Sequence, residues 1–238
     1  MQPIVRVPLT FGSLFAGIGG IDLGFERAGL ECKWQVEINE FARKVLEKHW
    51  PEVPKHDDIR TFKPTPVDVI CGGFPCQDIS KAGKGEGIKG RQSGLWYEML
   101  RVIREVRPRF AVVENVSALR KRGLSVVLGG LADIGFNAEW FCVNATQFGA
   151  PHQRRRMFIV GWNPHAVRRP WDKGEEFTVS DKDPYANRVG RWEGEPELGR
   201  MADGVSAGLD TNRRLEGLAN AVVPDIAEWI GRRLIESV

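Results

Sequence analysis

The chain lacks what would mark a secreted, metal-stapled or membrane-bound protein. Its four cysteines, Cys32, Cys71, Cys76 and Cys142, form no C-x-x-C pair, which argues against a disulfide framework or structural zinc and leaves no metal to expect. No signal peptide and no long apolar run is legible, so a reducing, cytoplasmic setting without membrane association is expected. A strong charge bias is missing too: the formal net charge is +3, too small to identify a nucleic-acid partner. The basic residues are nonetheless bunched, at Arg120-Lys121-Arg122, Arg154-Arg155-Arg156, Arg168-Arg169, Arg213-Arg214 and Arg232-Arg233. Such runs are ordinarily solvated faces, and only context promotes one to a phosphate site. What remains is 238 residues, 42% hydrophobic and 27% charged, enough for one α/β core with a small appended lobe.

The stretch V-D-V-I-C-G-G-F-P-C-Q-D-I-S at 67 to 80 organises the rest. Val67, Val69, Ile70 and Cys71 suit a short interior strand, and Gly72-Gly73 let the backbone turn sharply. Cys76 then stands at the strand exit, where open parallel sheets place their chemistry. Taken alone, a free cysteine is more commonly a small buried hydrophobe.

Upstream, Leu9 to Phe15 reads as a strand, followed by the turn Ala16-Gly17-Ile18-Gly19-Gly20 and a helix with Ile21, Phe25 and Ala28 on one face, stopped at Gly29. A second strand, Trp34 to Ile38, places Glu37 about 20 residues beyond the turn, the spacing at which a carboxylate reaches a ribose hydroxyl in βαβ units. The turn departs from the dinucleotide fingerprint G-x-G-x-x-G, so a nicotinamide-dependent oxidoreductase is a rival reading that leaves the later blocks unexplained. Glu40 to His49 reads as a helix closed by Pro51, with a short strand ending near Asp57-Asp58-Ile59. Asp58 suits either an adenine amino group or a cap.

Five glycines and four basic residues between Asp78 and Gly94 make that segment a closing lid rather than core structure. Leu95 to Val106 is a helix with Leu95, Met99, Val102, Ile103 and Val106 as its buried stripe. Arg109 to Val113 is a strand delivering Glu114-Asn115 beside the exit of Cys76. Leu124 to Ile134, Glu139 to Val143 and Met157 to Trp162 read as helix, strand and strand. From Asn163 to about Asn212 no period is sustained, and Leu215 to Val238 recovers helical spacing, its last helix packing back onto the first part of the sheet.

Taken in order, F-A-G-I-G-G at 15 to 20, Glu37, Asp58-Ile59, G-F-P-C-Q at 73 to 77, E-N-V at 114 to 116, H-x-R-x-R at 152 to 156 and A-N-A-V-V at 219 to 223 resemble the DNA cytosine-5 methyltransferase family. The resemblance implies an α/β, Rossmann-like S-adenosylmethionine-dependent methyltransferase fold, a mostly parallel sheet with helices on both faces. It implies a catalytic and cofactor domain at 1–162, a target-recognition lobe at 163–212 and a completing segment at 213–238. Cys76 matches the family nucleophile, Glu114 the carboxyl at ring nitrogen 3, Arg156 the arginine near the base carbonyl, and Arg154 one that helps hold the loop and backbone. Phe15, Gly17, Ile18, Gly19, Glu37, Ile38, Asp58, Leu95 and Asn220 match the S-adenosylmethionine site, which keeps S-adenosylhomocysteine as product. Phe74, Pro75, Gln77, Ser80 and Asn115 match the substrate side. The chain has His152 where the family usually has glutamine and Ala219 where it has glycine. The implied partner is double-stranded DNA, with a cognate restriction endonuclease, for a monomer in a bacterial or phage-infected cell. A transfer-RNA methyltransferase of the same fold is the nearest rival; its characteristic C-F-T tripeptide is missing here. A catalytically silent DNA-binding relative is a further one.

Overall fold

A computed structural model describes residues 7–75, 94–150, 153–167, 169 and 221–238. The expected nucleophile Cys76, the segment expected to form a lid, His152, Ala219, Asn220 and nearly all of 163–212 therefore lie outside the described residues.

Seven strands form one sheet in the order β3-β2-β1-β4-β5-β7-β6. They are β1 (Thr10–Leu14), β2 (Glu31–Val36), β3 (Lys55–His56), β4 (Val69–Gly72), β5 (Phe110–Val116), β6 (Asn137–Asn144) and β7 (Arg155–Trp162). The first five run parallel, while β7 pairs antiparallel with both β5 and β6. Alternation along β4 shows why both faces need cover: Val69 and Cys71 belong to one apolar cluster with α1 (Gly20–Ala28), and Ile70 to a second with α3 (Leu95–Val106) and α5 (Leu124–Asp133). α3 contributes Trp96, Met99, Val102 and Ile103, all with no exposed surface, each stabilising by about 1.5–3 kcal/mol on burial. The carboxy-terminal helix, α6 (Pro224–Glu236), packs against α1. Gly20 permits this: a Cβ there would lie 2.4 Å from the Val222 carbonyl oxygen. The segment that follows Asn220 is thereby brought to the start of α1.

The structure redraws several boundaries. The third strand stops at His56, and Asp57-Asp58-Ile59 forms a turn closed by Thr61 N–H donating to the Asp58 carbonyl at 3.2 Å. β7 begins at Arg155 rather than Met157, because its antiparallel partner Asn144 extends the ladder into the basic triplet. Two short elements carried too few residues for a period to show: α4 (Leu119–Arg122) and a 3₁₀ turn over Ala145–Phe148. α2 (Glu40–His49) begins as its sequence indicates, with the Asn39 side chain accepting from Ala42 N–H at 3.1 Å.

Candidate active site

The parallel strands β1, β4 and β5 exit at one edge of the sheet, and the site is built there. At the β1 exit, Phe15 (φ 54°), Gly17 (φ 57°) and Gly19 (φ 88°) are left-handed. For Phe15 that conformation costs energy, as is common where a ligand fixes the backbone. The Glu37 carboxylate accepts Gly17 N–H at 2.8 Å and Asn39 N–H at 2.7 Å, one on each oxygen. Each oxygen keeps a lone pair for a vicinal diol. Arg43 fixes the β2 exit, one guanidinium nitrogen donating to the carbonyls of Glu37 and Ile38 at 2.8 Å each. Ile38 is 67% exposed beside it, an apolar surface of the kind a flat base covers. Glu37 N–H donates to the His56 carbonyl at 2.9 Å, which sets Asp58 two residues beyond, next to Glu37.

Asp58 forms a fork with Arg60, whose Nη2 lies 2.6 Å from Oδ2 and whose Nε lies 2.9 Å from Oδ1. These hydrogen bonds hold the Asp58 carboxyl below its ordinary value. From behind, Arg101 of α3 donates to the Ile59 carbonyl at 2.7 Å. Leu95, half-buried, opens α3 at the rim.

A buried network lies under this turn. Ser13 Oγ donates to Asp22 Oδ2 at 3.0 Å, and Gln35 Nε2 to Asp22 Oδ1 at 2.7 Å. Burial pushes the Asp22 carboxyl up to about 6, against the two hydrogen bonds that lower it. Since the folded value exceeds the unfolded one, the proton favours folding, and that contribution is lost as pH rises through about 6. Asp22→Asn is therefore expected to raise Tm at pH 8 by roughly 3–6 °C, with the gain shrinking towards pH 5. Thermal melts of the two proteins across that range check it; a pH-independent difference would remove Asp22 as the cause.

Beside the β1 exit, β4 delivers Gly72, Gly73, Phe74 and Pro75 to the same edge. Phe74 is buried against Trp96, ring centroids 5.6 Å apart. Its carbonyl accepts Asn115 Nδ2 at 3.2 Å, while Asn115 Oδ1 accepts Val116 N–H at 2.9 Å. Asn115 is thus buried and holds the turn that leads to Cys76. A Cβ on Gly73 would lie 2.5 Å from Glu114 Oε2, so any larger residue there makes the Glu114 carboxyl shift. Arg156 reaches Glu114 across the β5–β7 ladder, Nε to Oε1 at 2.9 Å; it pairs with Val116 and so sits diagonally from Glu114. Burial raises the Glu114 carboxyl above its ordinary value, opposed by the charges of Arg156 and Arg154. Arg154 is itself lowered to about 10, first by burial and then by Arg156. The structure thus brings Glu114, Arg154 and Arg156 together beside the Phe74-Pro75 turn.

The sequence reading overlooked Asp22, Arg60, Arg101 and the holding contact of Asn115. Polar Ser13 and Gln35 inside apolar strands were the one legible signal of the buried network.

The family model for C-5 cytosine-specific DNA methylase matches residues 9–214. The chain belongs to that family. Methylase relatives include M.HpaII of Haemophilus parainfluenzae, 36% identical over 76% of this chain and 57% of its own, and M.BsuFI of Bacillus subtilis, 34% identical over 66% and 40%. M.HhaI of Haemophilus parahaemolyticus is 32% identical over 64% and 48%. All three are named Type II methyltransferases, and the chain spans about half the length of these relatives. Among solved structures, a candidate DNA modification methyltransferase of an E. coli prophage superposes with TM-score 0.58 at 25% identity, covering 68% of this chain and 49% of its own. Spodoptera frugiperda DNMT2 gives 0.58 at 20% identity over 71% and 54%, a likeness of fold alone. The methylase fold is therefore Rossmann-like, with a mixed seven-stranded sheet. Among the described residues no cluster of His, Cys, Asp or Glu could hold a metal ion, and no helix is long and apolar enough to cross a membrane.

Proposed function

We propose that this methylase transfers a methyl group from S-adenosylmethionine to carbon 5 of a flipped cytosine in duplex DNA through a covalent Cys76 adduct. The observation that carries the reading is the Glu114 carboxyl, held by Arg156 at 2.9 Å directly over Gly73, three residues before Cys76. The lone pairs left on Glu37 and the exposed Ile38 suit a ribose diol and an adenine face; the reading further assigns Asp58 to the adenine amino group, Phe15, Gly17, Ile18 and Gly19 to the methionine and sugar, and Leu95 and Asn220 to the rim. When bound, S-adenosylmethionine supplies the electrophilic methyl group and leaves as S-adenosylhomocysteine.

The chain's own residues prepare the base. The Cys76 thiolate adds to ring carbon 6, forming the S–C6 bond, while the displaced π electrons move into the ring and Glu114 gives its proton to nitrogen 3. Carbon 5 becomes an enamine carbon able to take the methyl group. A water molecule then takes the carbon 5 proton, whose electron pair re-forms the 5,6 double bond as the S–C6 pair leaves with the Cys76 thiolate, and nitrogen 3 returns its proton to Glu114. Arg156 steadies charge at the base carbonyl, and Arg154 supports it. Phe74 and Pro75 aim the thiol, Asn115 holds their turn, and Gln77 and Ser80 begin the lid that closes over the extruded base's gap.

In this reading 1–162 and 213–238 form the catalytic unit, and 163–212 reads flanking bases through arginines such as Arg168, Arg169, Arg188 and Arg191. The Type II names of the relatives favour pairing with a cognate restriction endonuclease, and we read the protein as a cytoplasmic monomer. The test is methyl-labelled cofactor with duplex DNA and, separately, structured RNA, the product base being identified by mass. Label in 5-methylcytosine of DNA is the expected result; label confined to RNA, or to another atom, would refute the proposal.

The close fit at Gly73 gives a second expectation. Gly73→Ala should displace the Glu114 carboxyl and lower kcat by roughly 10²-fold, with S-adenosylhomocysteine affinity kept within about two-fold. Single-turnover methylation and calorimetric titration of S-adenosylhomocysteine separate the two; a full-rate variant would mean that the carboxyl has room to move.

A further inference from the structure

The turn after β3 carries an ion pair, Asp58–Arg60, to which the proposed chemistry gives no duty. The backbone of that turn is fixed without it. Ile59 and Phe62 are buried, and the Phe62 ring lies against those of Trp34 and His56, with centroids 4.9 and 4.6 Å away. Thr61 N–H and Oγ1 both donate to the Asp58 carbonyl at 3.2 Å, and Arg101 of α3 donates to the Ile59 carbonyl at 2.7 Å. The Asp58 side chain has a different holder: among the described residues, only Arg60 donates to its carboxylate from another position.

That hold is nearly complete. Oδ1 accepts the Arg60 backbone N–H and Nε–H, each at 2.9 Å, which fills both of its acceptor sites. Oδ2 accepts Nη2–H at 2.6 Å and only a share of the same Nε–H at 3.0 Å, so one acceptor direction on Oδ2 stays open. These bonds also keep the carboxyl below its ordinary value, so it accepts and has no proton to donate. The Arg60 side chain is 61% exposed and that of Asp58 26%, which puts the guanidinium on the solvent side of the carboxylate.

We propose that Arg60 is a positioning residue that makes the cofactor pocket select a 6-amino over a 6-oxo purine, by fixing the Asp58 carboxylate with a single open acceptor; this rests on the assignment of Asp58 to the adenine amino group made above. An amino N–H meets a ready acceptor there, whereas a 6-oxo purine brings an oxygen that the carboxylate repels. Without the fork the carboxylate turns freely, so ordering it against the amino group costs entropy. It can also swing to the N1–H that a 6-oxo purine carries. Selectivity then falls from both directions.

Calorimetric titration of S-adenosylhomocysteine and of its 6-oxo analogue, S-inosylhomocysteine, tests this in the wild type, Arg60→Met, Asp58→Asn and the double variant. Methionine keeps much of the side chain's length and removes the fork. The wild type is expected to prefer S-adenosylhomocysteine by about ten-fold or more. Arg60→Met should lower that affinity by about three- to five-fold, while affinity for S-inosylhomocysteine holds or rises, which also shows that the turn is intact. In the Asp58→Asn background, Arg60→Met should change neither affinity by more than about two-fold. An unchanged preference, an equal loss for both ligands, or a full Arg60→Met effect in the Asp58→Asn background overturns the proposal. A wild type that binds neither ligand would instead defeat the cofactor reading itself.

Discussion

Cys76→Ser is expected to lower methyl transfer on the order of 10⁴-fold or more, because a serine hydroxyl is not ionised near neutral pH whereas a thiol of ordinary pKa is a few per cent thiolate. Carbon 5 of cytosine is too poor a nucleophile to take a methyl group without the electrons that addition at carbon 6 supplies. The loss should fall on kcat. Affinity for S-adenosylhomocysteine should hold, since its proposed contacts come from the β1 and β2 exits and the Asp58 turn, not from the Phe74-Pro75 turn. Single-turnover methylation measured beside cofactor titration checks this. A Cys76→Ser protein that turns over within ten-fold of the wild type would exclude the thiol from the reaction.

Glu114→Gln is expected to slow methyl transfer by about 10²–10⁴-fold, the usual worth of a placed proton donor, while duplex binding survives. Glutamine keeps the shape over Gly73 but has no acidic proton to give to nitrogen 3. The pH profile offers an independent check. Burial holds the Glu114 carboxyl above its ordinary value and Arg156 is the largest opposing influence, so activity that needs the protonated form falls as pH rises through that raised value. Removing the opposing charge with Arg156→Leu should raise the carboxyl further and move the alkaline limb of log kcat to higher pH, on top of any loss from the base carbonyl. A limb that stays in place, or a Glu114→Gln enzyme with unchanged turnover, would take Glu114 out of the proton transfer.

Much of this arrangement is legible in the residues because the motifs sit at strand exits. The apolar run before Gly72-Gly73 and the Leu95–Val106 stripe each announce their element locally, and the structure has them where the pattern puts them. The order of blocks then gives the fold, since the first five each stand at the exit of one parallel strand. What the sequence could not show are contacts made between elements. Nothing in E-N-V indicates that Asn115 turns inward to hold the Phe74 carbonyl. Asp22 reads as a first-turn helix residue, yet it is fully buried between Ser13 and Gln35. α4 is only four residues long, less than any hydrophobic period can mark. The start of β7 was misjudged because arginines look unlike a strand until a ladder partner is known.

The central claim is the covalent step, and 5-fluorocytosine tests it most directly, because fluorine at carbon 5 cannot leave as the proton does and the S–C6 bond is trapped after methyl transfer. The protein incubated with S-adenosylmethionine and duplex DNA containing 5-fluorocytosine should give a protein–DNA adduct that survives denaturing electrophoresis, and Cys76→Ser should give none. An adduct that persists in Cys76→Ser, or a wild-type protein that methylates cytosine in DNA yet traps nothing, would contradict the account.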